Sequence, residues 1–388
     1  MARKDATRRT TSAGAPANLR LFDLILVGFG NVARRVVTLL DELRPALATD
    51  YRFGTRVVGI VTRSHGSIFD SKGLKANDLT APVRRPKGRR RSGTALEFLG
   101  DALARSAASA RSGRLIVVEL STLDIVSGQP AIDHVRAALR GGAHVVTANK
   151  GPAAFAYRAL TAEATRAGRC FLFETAVMDG IPVFNLNRAA LSGVAIAGFR
   201  GVVNSTTNYI LTAMGRGESF ADALAAMQRA GIAEADASLD VEGWDAAAKT
   251  AALANALMGA NLTPHAVERE GISAAATERI EAARRTGRRV KLVASAERLR
   301  GDVIGRVRLV ELPESDLLAQ LEDQQNALVL QTDLLGELAI VQRGGGLTQT
   351  AYGVVSDIVS IARSSPTSTR RPPRAARRGR SPSARGPR

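Results

Sequence analysis

A single cysteine, Cys170, stands in the 388 residues. One thiol cannot close an internal disulfide, and it excludes a zinc or iron–sulfur site built from several thiolates. Such sparing use of cysteine fits a reducing compartment, so a cytoplasmic protein is expected. No apolar run reaches 18 residues, which leaves no candidate membrane-spanning helix, and no signal-peptide core is present. Aromatic residues are scarce at 4%. None lies in residues 364–388, where stacking on nucleic-acid bases would need them.

Acidic residues are scarce or missing in three places, and these explain the formal charge of +18. Residues 1–20 carry a net +4, residues 82–91 ("PVRRPKGRRR") hold six cations, and residues 364–388 hold eight arginines with no acid. The rest of the chain is therefore close to neutral. All three stretches are rich in Pro, Gly, Ser, Thr or Ala, so they are expected to be unstructured: a basic leader (1–20), a basic loop insertion (about 75–95) and an Arg/Pro/Ser-rich tail (364–388). The leader has the Arg and Thr content of a transit peptide, but Asp5 and the lack of a large apolar face argue against one. Binding of polyanions through released counterions is the rival reading from outside the enzyme class. Specific nucleic-acid recognition and membrane attachment are not expected.

What is present is a substantial apolar fraction, 45%, enough to build the cores of two domains. In "LFDLILVGFGNVARRVVTLLDEL" (21–43) an apolar strand ends at Gly28, and a helix with Val36, Val37, Leu39 and Leu40 follows. Gly28, Phe29, Gly30, Asn31, Val32 and Ala33 form a G-x-G-x-x-A turn between them. In such a turn the first small residue makes the bend, the second lets the backbone approach a pyrophosphate and the third permits close helix–strand packing. The phosphate sits at the helix N-terminus. A second strand, "TRVVGIVTRS" (55–64), ends in Thr62, Arg63 and Ser64, without the acid that usually holds the ribose 2′-hydroxyl of NAD. Arg63 and the hydroxyls suit a 2′-phosphate, so NADP is favoured, with NAD as the alternative.

A helix (about 95–110), a strand (114–120), a helix (130–142) and a strand (143–148) continue the alternation. That pattern predicts an α/β fold with a doubly wound parallel sheet of Rossmann type. Ser121 and Thr122 follow one strand, Asn149 and Lys150 the next; ligands bind beyond the carboxyl ends of such strands. A helix (about 152–167) and a strand "CFLFETAV" (170–177) come next, then a strand and helix start in 193–211 and helices at 220–232 and 243–259. Strand-like runs occupy 288–342, and a helix at 348–362 ends the ordered chain.

The stretch "AEADASLDVEGWDAAAK" (233–249) concentrates acids at a loop-to-helix junction. Asp245 and Lys249 are four residues apart and share a helix face. Glu234 and Asp240 precede that helix in a segment able to fold back toward it.

"GFGNVA", "VVTANKGP" (145–152), "FETAVMDGIPV" (173–183), "NSTTNYIL" (204–211) and "GIAEADASLDVEGWDAAAK" (231–249) together resemble homoserine dehydrogenase in order and spacing. "GGGLTQTAYGVVSDI" (344–358) resembles the end of that family's catalytic portion. The resemblance covers about residues 20–363, and it implies nucleotide binding by 21–150, a second α/β domain built on a mixed sheet over 151–340 for substrate binding and dimerisation, and a helix over 341–363 that returns to the first domain. It implies reversible NAD(P)H-dependent reduction of L-aspartate 4-semialdehyde to L-homoserine in threonine, methionine and isoleucine biosynthesis, by a homodimer. It places Glu234 and Asp240 on the substrate, and Lys249, Asp245 and Lys150 at the reacting centre; Thr206, at a helix start, is either a cap or a substrate contact. A cationic lysine near the carbonyl oxygen stabilises the charge that grows as hydride arrives and can pass a proton. Lys150 and Lys249 both qualify. By the same resemblance Glu174, with carbonyls of Val177, Asp179 and Ile181, would hold a monovalent cation such as Na+ in an all-oxygen site. Three departures stand out: Ser205 where glycine is usual, Ile232 where many members have tyrosine, and Asp179 in place of a small residue. No regulatory domain of the ACT type is expected after the catalytic portion.

The rival within the enzyme class is another Rossmann oxidoreductase acting on a small carbonyl. One that forms a thioester needs a nucleophilic cysteine. Cys170 lies beside Phe171 and Phe173 in an apolar strand pattern, where a free thiol is an inert packing residue. Cys170→Ala should therefore retain full steady-state activity, and complete loss in a folded variant would revive the thioester mechanism.

Overall fold

The computed structural model describes residues 19–75, 93–107, 113–230 and 236–365. Residues 1–18, 82–91 and 366–388, with Ile232 and Glu234, lie outside the described residues; Arg20, expected in the unstructured leader, opens a strand, and Ser364, expected in the unstructured tail, ends a helix.

β1 (Arg20–Val27) is the central strand of the first sheet. Its side chains alternate between two cores: Phe22, Leu24 and Leu26 enter one, Ile25 and Val27 the other. A strand buried on both faces must be apolar at nearly every position, which is how this segment reads. β2 (Phe53–Thr62), β4 (Leu115–Glu119), β5 (His144–Thr147) and β6 (Phe171–Leu172) run parallel to it, and β3 (Gly66–Phe69) closes the edge antiparallel to β2. The spatial order is β3-β2-β1-β4-β5-β6, a Rossmann-like arrangement whose direction of winding reverses at β1/β4.

The helices of this half are α1 (Asn31–Glu42), α2 (Arg44–Asp50), α3 (Ala95–Ala107), α4 (Ala131–Arg140), α5 (Lys150–Phe155) and α6 (Tyr157–Ala167). α1 packs one face of the sheet with Ala33, Val36, Leu39 and Leu40. α4 packs the other with Val135, Ala138 and Leu139.

The chain continues through α7 (Thr175–Met178), α8 (Val183–Ala190), β7 (Ile196–Val202), α9 (Ser205–Gly215), α10 (Phe220–Arg229), α11 (Ser238–Val241) and α12 (Trp244–Met258). β8 (Glu268–Arg269), α13 (Ala276–Arg285), β9 (Arg288–Leu299), β10 (Asp302–Pro313), β11 (Asn326–Thr332) and β12 (Gly336–Gln342) follow. Their strands form a mixed sheet in the order β12-β11-β7-β9-β10-β8, with only β10 and β8 parallel. The last helix, α14 (Leu347–Ser364), returns to the first sheet and buries Val354, Val355, Ile358 and Ile361 in the core shared with α1. Among the described residues no helix is long and apolar enough to cross a membrane.

Three local readings differ from the structure. The strand expected over 170–177 is only Phe171–Leu172, because the backbone turns helical at Glu174 and α7 begins at Thr175. Cys170 precedes that strand and is partly buried against the α1 core. The helix expected over 152–167 is two helices broken at Ala156, and β3 was not foreseen.

Sheet continuity at the β5/β6 edge includes a titratable contact. The backbone N–H of Cys170 donates to Nδ1 of buried His144 at 3.1 Å. Burial, with Arg169 nearby, pushes the His144 pKa down to about 4. The folded protein thus resists a proton that the unfolded chain takes up near 6.5, so this contribution is present above that pH and lost as pH falls toward 4. A shift of that size corresponds to roughly 3 kcal/mol. His144→Gln should flatten the fall in stability between these pH values, measured by denaturant unfolding of both proteins across the range.

Candidate active site

The two sheets approach each other where β5 leads into α5 and where α12 begins. Gly243 caps α12 with φ +79°. A Cβ there would lie 2.8 Å from the Glu270 carbonyl oxygen, so glycine is required on two counts. The turn it makes puts Asp245 in the first turn of α12, where the helix dipole favours an acid. Lys249 follows one turn later.

Asp245 holds a lysine at each carboxylate oxygen. Oδ2 is 2.9 Å from Lys249 Nζ, and Oδ1 is 3.2 Å from Lys150 Nζ, at the start of α5. Lys249 also donates to the Val203 carbonyl at 2.6 Å. Burial alone would raise Asp245, but the two ammonium groups and Asn204 hold its carboxyl well below the usual carboxylate range. Burial would lower Lys249, yet Asp245, with Asp179 and Asp240 beyond it, holds it above the ordinary lysine value. A mostly buried lysine–aspartate–lysine cluster is weak as a stabilising device, because desolvation offsets much of the attraction. Charge arranged in this way is characteristic of functional sites.

Asn204 joins a second carboxylate to the cluster. Its Nδ2 donates to Asp240 at 2.7 Å and to Asp245 at 2.9 Å, while its Oδ1 accepts the Thr207 N–H and caps α9. Burial and the Asp245 charge push Asp240 upward, against the pull of Asn204, Lys249 and Thr206. Lys150, Asp245, Lys249, Asp240 and Thr206 are thereby brought together. Glu234 lies outside the described residues. Ser205 is the first residue of α9 and has no positive φ, so the departure from glycine carries no strain there. Asn204 went unnoticed in the sequence, although "NSTT" is a helix-cap pattern.

The G-x-G-x-x-A turn lies at the carboxyl end of β1. Gly28 has φ +92°, and a Cβ on it would sit 2.6 Å from the Leu120 carbonyl oxygen. Gly30 caps α1 without a side-chain bond, and a Cβ on it would meet no atom within 4 Å. That gives a helix N-terminus with free N–H donors and room for a phosphate to approach, so the residues fit a dinucleotide. Phe29 and Ala33 are buried, Asn31 is exposed and Val32 is half-buried. Arg63 is exposed at the tight Thr62–Gly66 turn into β3. Across the switch point, Asn149 Nδ2 donates to the carbonyls of Ser121 (3.0 Å) and Thr122 (3.2 Å).

The candidate cation loop serves first as a junction. The Glu174 carboxylate accepts the N–H groups of Phe184 (2.8 Å) and Asn185 (2.5 Å), capping α8. Val177 is buried in α7, Asp179 has φ +50° and accepts from Thr350 (3.0 Å) and Gln342 (3.1 Å), and the Ile181 N–H bonds the Met178 carbonyl. Among the described residues no group of three His, Cys, Asp or Glu side chains is placed to hold a metal ion.

The homoserine dehydrogenase family model matches residues 182–359. The chain is 37% identical over 345 residues to the NAD(+)-dependent homoserine dehydrogenase of Pseudomonas canavaninivorans, covering 88% of this chain and 97% of that one. It is 34% identical to the homoserine dehydrogenase of Methanocaldococcus jannaschii, covering 87% and 98%. Among solved structures, a putative homoserine dehydrogenase from Archaeoglobus fulgidus superposes with a TM-score of 0.74 at 29% identity, covering 88% and 99%. One from Thiobacillus denitrificans gives 0.73 at 30%, covering 89% of this chain and 74% of that one.

The geometry makes Asn204 the spacer between two like charges. Removing it should push Asp240 further up, so that its charge is lost at a higher pH as pH falls. Asn204→Ala should lower kcat/KM by about 10-fold or more, the worth of a hydrogen bond to a charged group. The acid limb of its pH profile should move to higher pH; an unmoved limb in the folded variant would refute the spacer role.

Proposed function

The chain belongs to the homoserine dehydrogenase family, and on that premise we propose that its lysine–aspartate–lysine cluster carries the chemistry of the family's reaction. The enzyme is an oxidoreductase that uses a nicotinamide cofactor. The substrate pair is L-homoserine and L-aspartate 4-semialdehyde, placing the protein in amino-acid biosynthesis. The observation that carries the site assignment is Asp245 held between Lys150 and Lys249 at the meeting of the two sheets.

The nicotinamide group, when bound, supplies the hydride acceptor for homoserine oxidation and the donor for the reverse. Gly28 through Ala33 would hold its pyrophosphate, and Ser121, Thr122, Asn149 and Lys150 would line its far end. Asp240, with Thr206 beside it and Glu234 by resemblance, attracts the substrate ammonium. Lys249 and Lys150 face the substrate oxygen. In reduction they stabilise the negative charge that grows there, and one ammonium passes it a proton. In oxidation the same lysine, entering the step as its neutral amine, takes the hydroxyl proton. Asp245 keeps both lysines in place. Glu174 caps α8 through both oxygens, and it would hold a monovalent cation only with the lone pairs that remain.

Arg63 at the end of β2, with no acid in the turn, favours NADP over NAD. The relative named for NAD(+) makes this preference a discriminating measurement. The active form is taken to be a homodimer confined to the cytoplasm.

Oxidation of L-homoserine at alkaline pH, followed at the absorbance of the reduced nicotinamide, tests the reading. Wild type should turn over with NADP+ preferred, at twice the chain mass by light scattering. Lys249→Ala should lower kcat by at least about 100-fold, the usual worth of a positioned proton donor. A folded wild type inert with both cofactors would overturn the assignment.

A further inference from the structure

β4 reads Leu-Ile-Val-Val-Glu, and its one polar residue, Glu119, is 0% exposed. An acid in a strand buried on both faces costs desolvation unless its oxygens are hydrogen-bonded, and both are. Oε1 accepts the Ser121 N–H at 3.1 Å and the Ser121 hydroxyl, and lies 3.4 Å from Nδ1 of buried His134. Oε2 accepts the Thr147 hydroxyl at 3.0 Å.

These bonds belong to a closed ring. Thr147 Oγ1 accepts the Asn149 N–H at 3.0 Å, and Asn149 Nδ2 returns to the Ser121 carbonyl at 3.0 Å. Asn149 Oδ1 accepts the Gly151 N–H at 2.8 Å. The carboxyl ends of β4 and β5 are thus clamped together through one carboxylate. Lys150 lies between Asn149 and Gly151, two residues whose backbone N–H groups are both held by the ring. A valine at 119, like its neighbours Val117 and Val118, would pack the strand but leave the Ser121, Thr147 and His134 donors without this acceptor.

We propose that Glu119 is a positioning residue for the dehydrogenase reaction. It fixes the Ser121–Thr122 segment against the cofactor and sets the backbone from which Lys150 reaches Asp245. This rests on the role given above to Lys150 and to the β4 and β5 ends. The carboxylate touches no reacting atom; it acts through Thr147, Asn149 and Ser121.

The test compares Glu119→Ala and Glu119→Gln with wild type in the full chain. The readouts are kcat and KM for homoserine, the dissociation constant of NADPH from nicotinamide fluorescence, and circular dichroism with thermal melting. Glu119→Ala should lower kcat by about 10- to 100-fold, the effect of sub-ångström misplacement at a reacting centre. It should also weaken NADPH binding by about tenfold while the homoserine KM changes little. Glu119→Gln keeps one carbonyl oxygen for Ser121 and should recover most of the NADPH affinity but only part of kcat. A merely structural glutamate would lower the melting temperature and leave kcat per folded molecule and NADPH affinity at wild-type values, and that result overturns the proposal. If Glu119→Ala does not fold, wild-type kcat and NADPH affinity in Glu119→Gln overturn it instead. A wild type without homoserine turnover fails the proposed function, whereas the NADPH measurement still decides for or against Glu119.

Discussion

A carboxylate taken out of water must be answered by opposite charge, and Asp245 is answered twice. The Lys249 partner lies on its own helix and costs the fold little to arrange. The Lys150 partner comes from the other sheet and requires α5 and α12 to pack together. Both helices bury small residues, Gly151, Ala153 and Ala154 on one and Ala247, Ala248 and Ala251 on the other. Asn255 of α12 donates to the Ala153 carbonyl of α5 at 3.2 Å, and the second ammonium stands 3.2 Å from Asp245.

The polar residues around this cluster also join pieces of the chain. Asn204 links the α9 N-terminus to α11 and α12. Glu174 and Asp179 link α7 and its following loop to α8, β12 and α14. Asp357, on α14, accepts the Glu174 N–H at 2.8 Å and is pushed up to about 7 by burial and the neighbouring Glu174 charge. Buried polar groups of this kind have few satisfactory partners, so they specify one arrangement where apolar packing alone would tolerate several. These polar links sit among large apolar clusters, one of which runs through both sheets.

Much of the site was legible because its parts are local. The G-x-G-x-x-A turn, the four-residue spacing of Asp245 and Lys249 and the polar residues after β4 and β5 are patterns within a few residues, and local geometry follows from local sequence. The strand at 170–177 was misread for a related reason: its apolar pattern is shared by a short strand and a buried helix, and periodicity cannot separate them over so short a run. Glu119 and Asn204 were passed over because each looks ordinary among its neighbours. Their importance lies in partners up to 41 residues away, as in the Asn204–Asp245 bond.

The sequence alone determined the α/β class, the glycine turn after β1, the placement of charge outside a near-neutral body and most of the side chains that meet around Asp245. These depend on side-chain period, on glycine at strained positions and on composition, all of which are written along the chain. Tertiary structure decided that Lys150 and Lys249 share one carboxylate, that Asn204 holds two acids apart, and that Glu174 caps a helix. It also decided that β4 and β5 are tied through Glu119. Those outcomes depend on distances between segments far apart in sequence. Such distances are set by how whole elements pack, and no residue pattern records them.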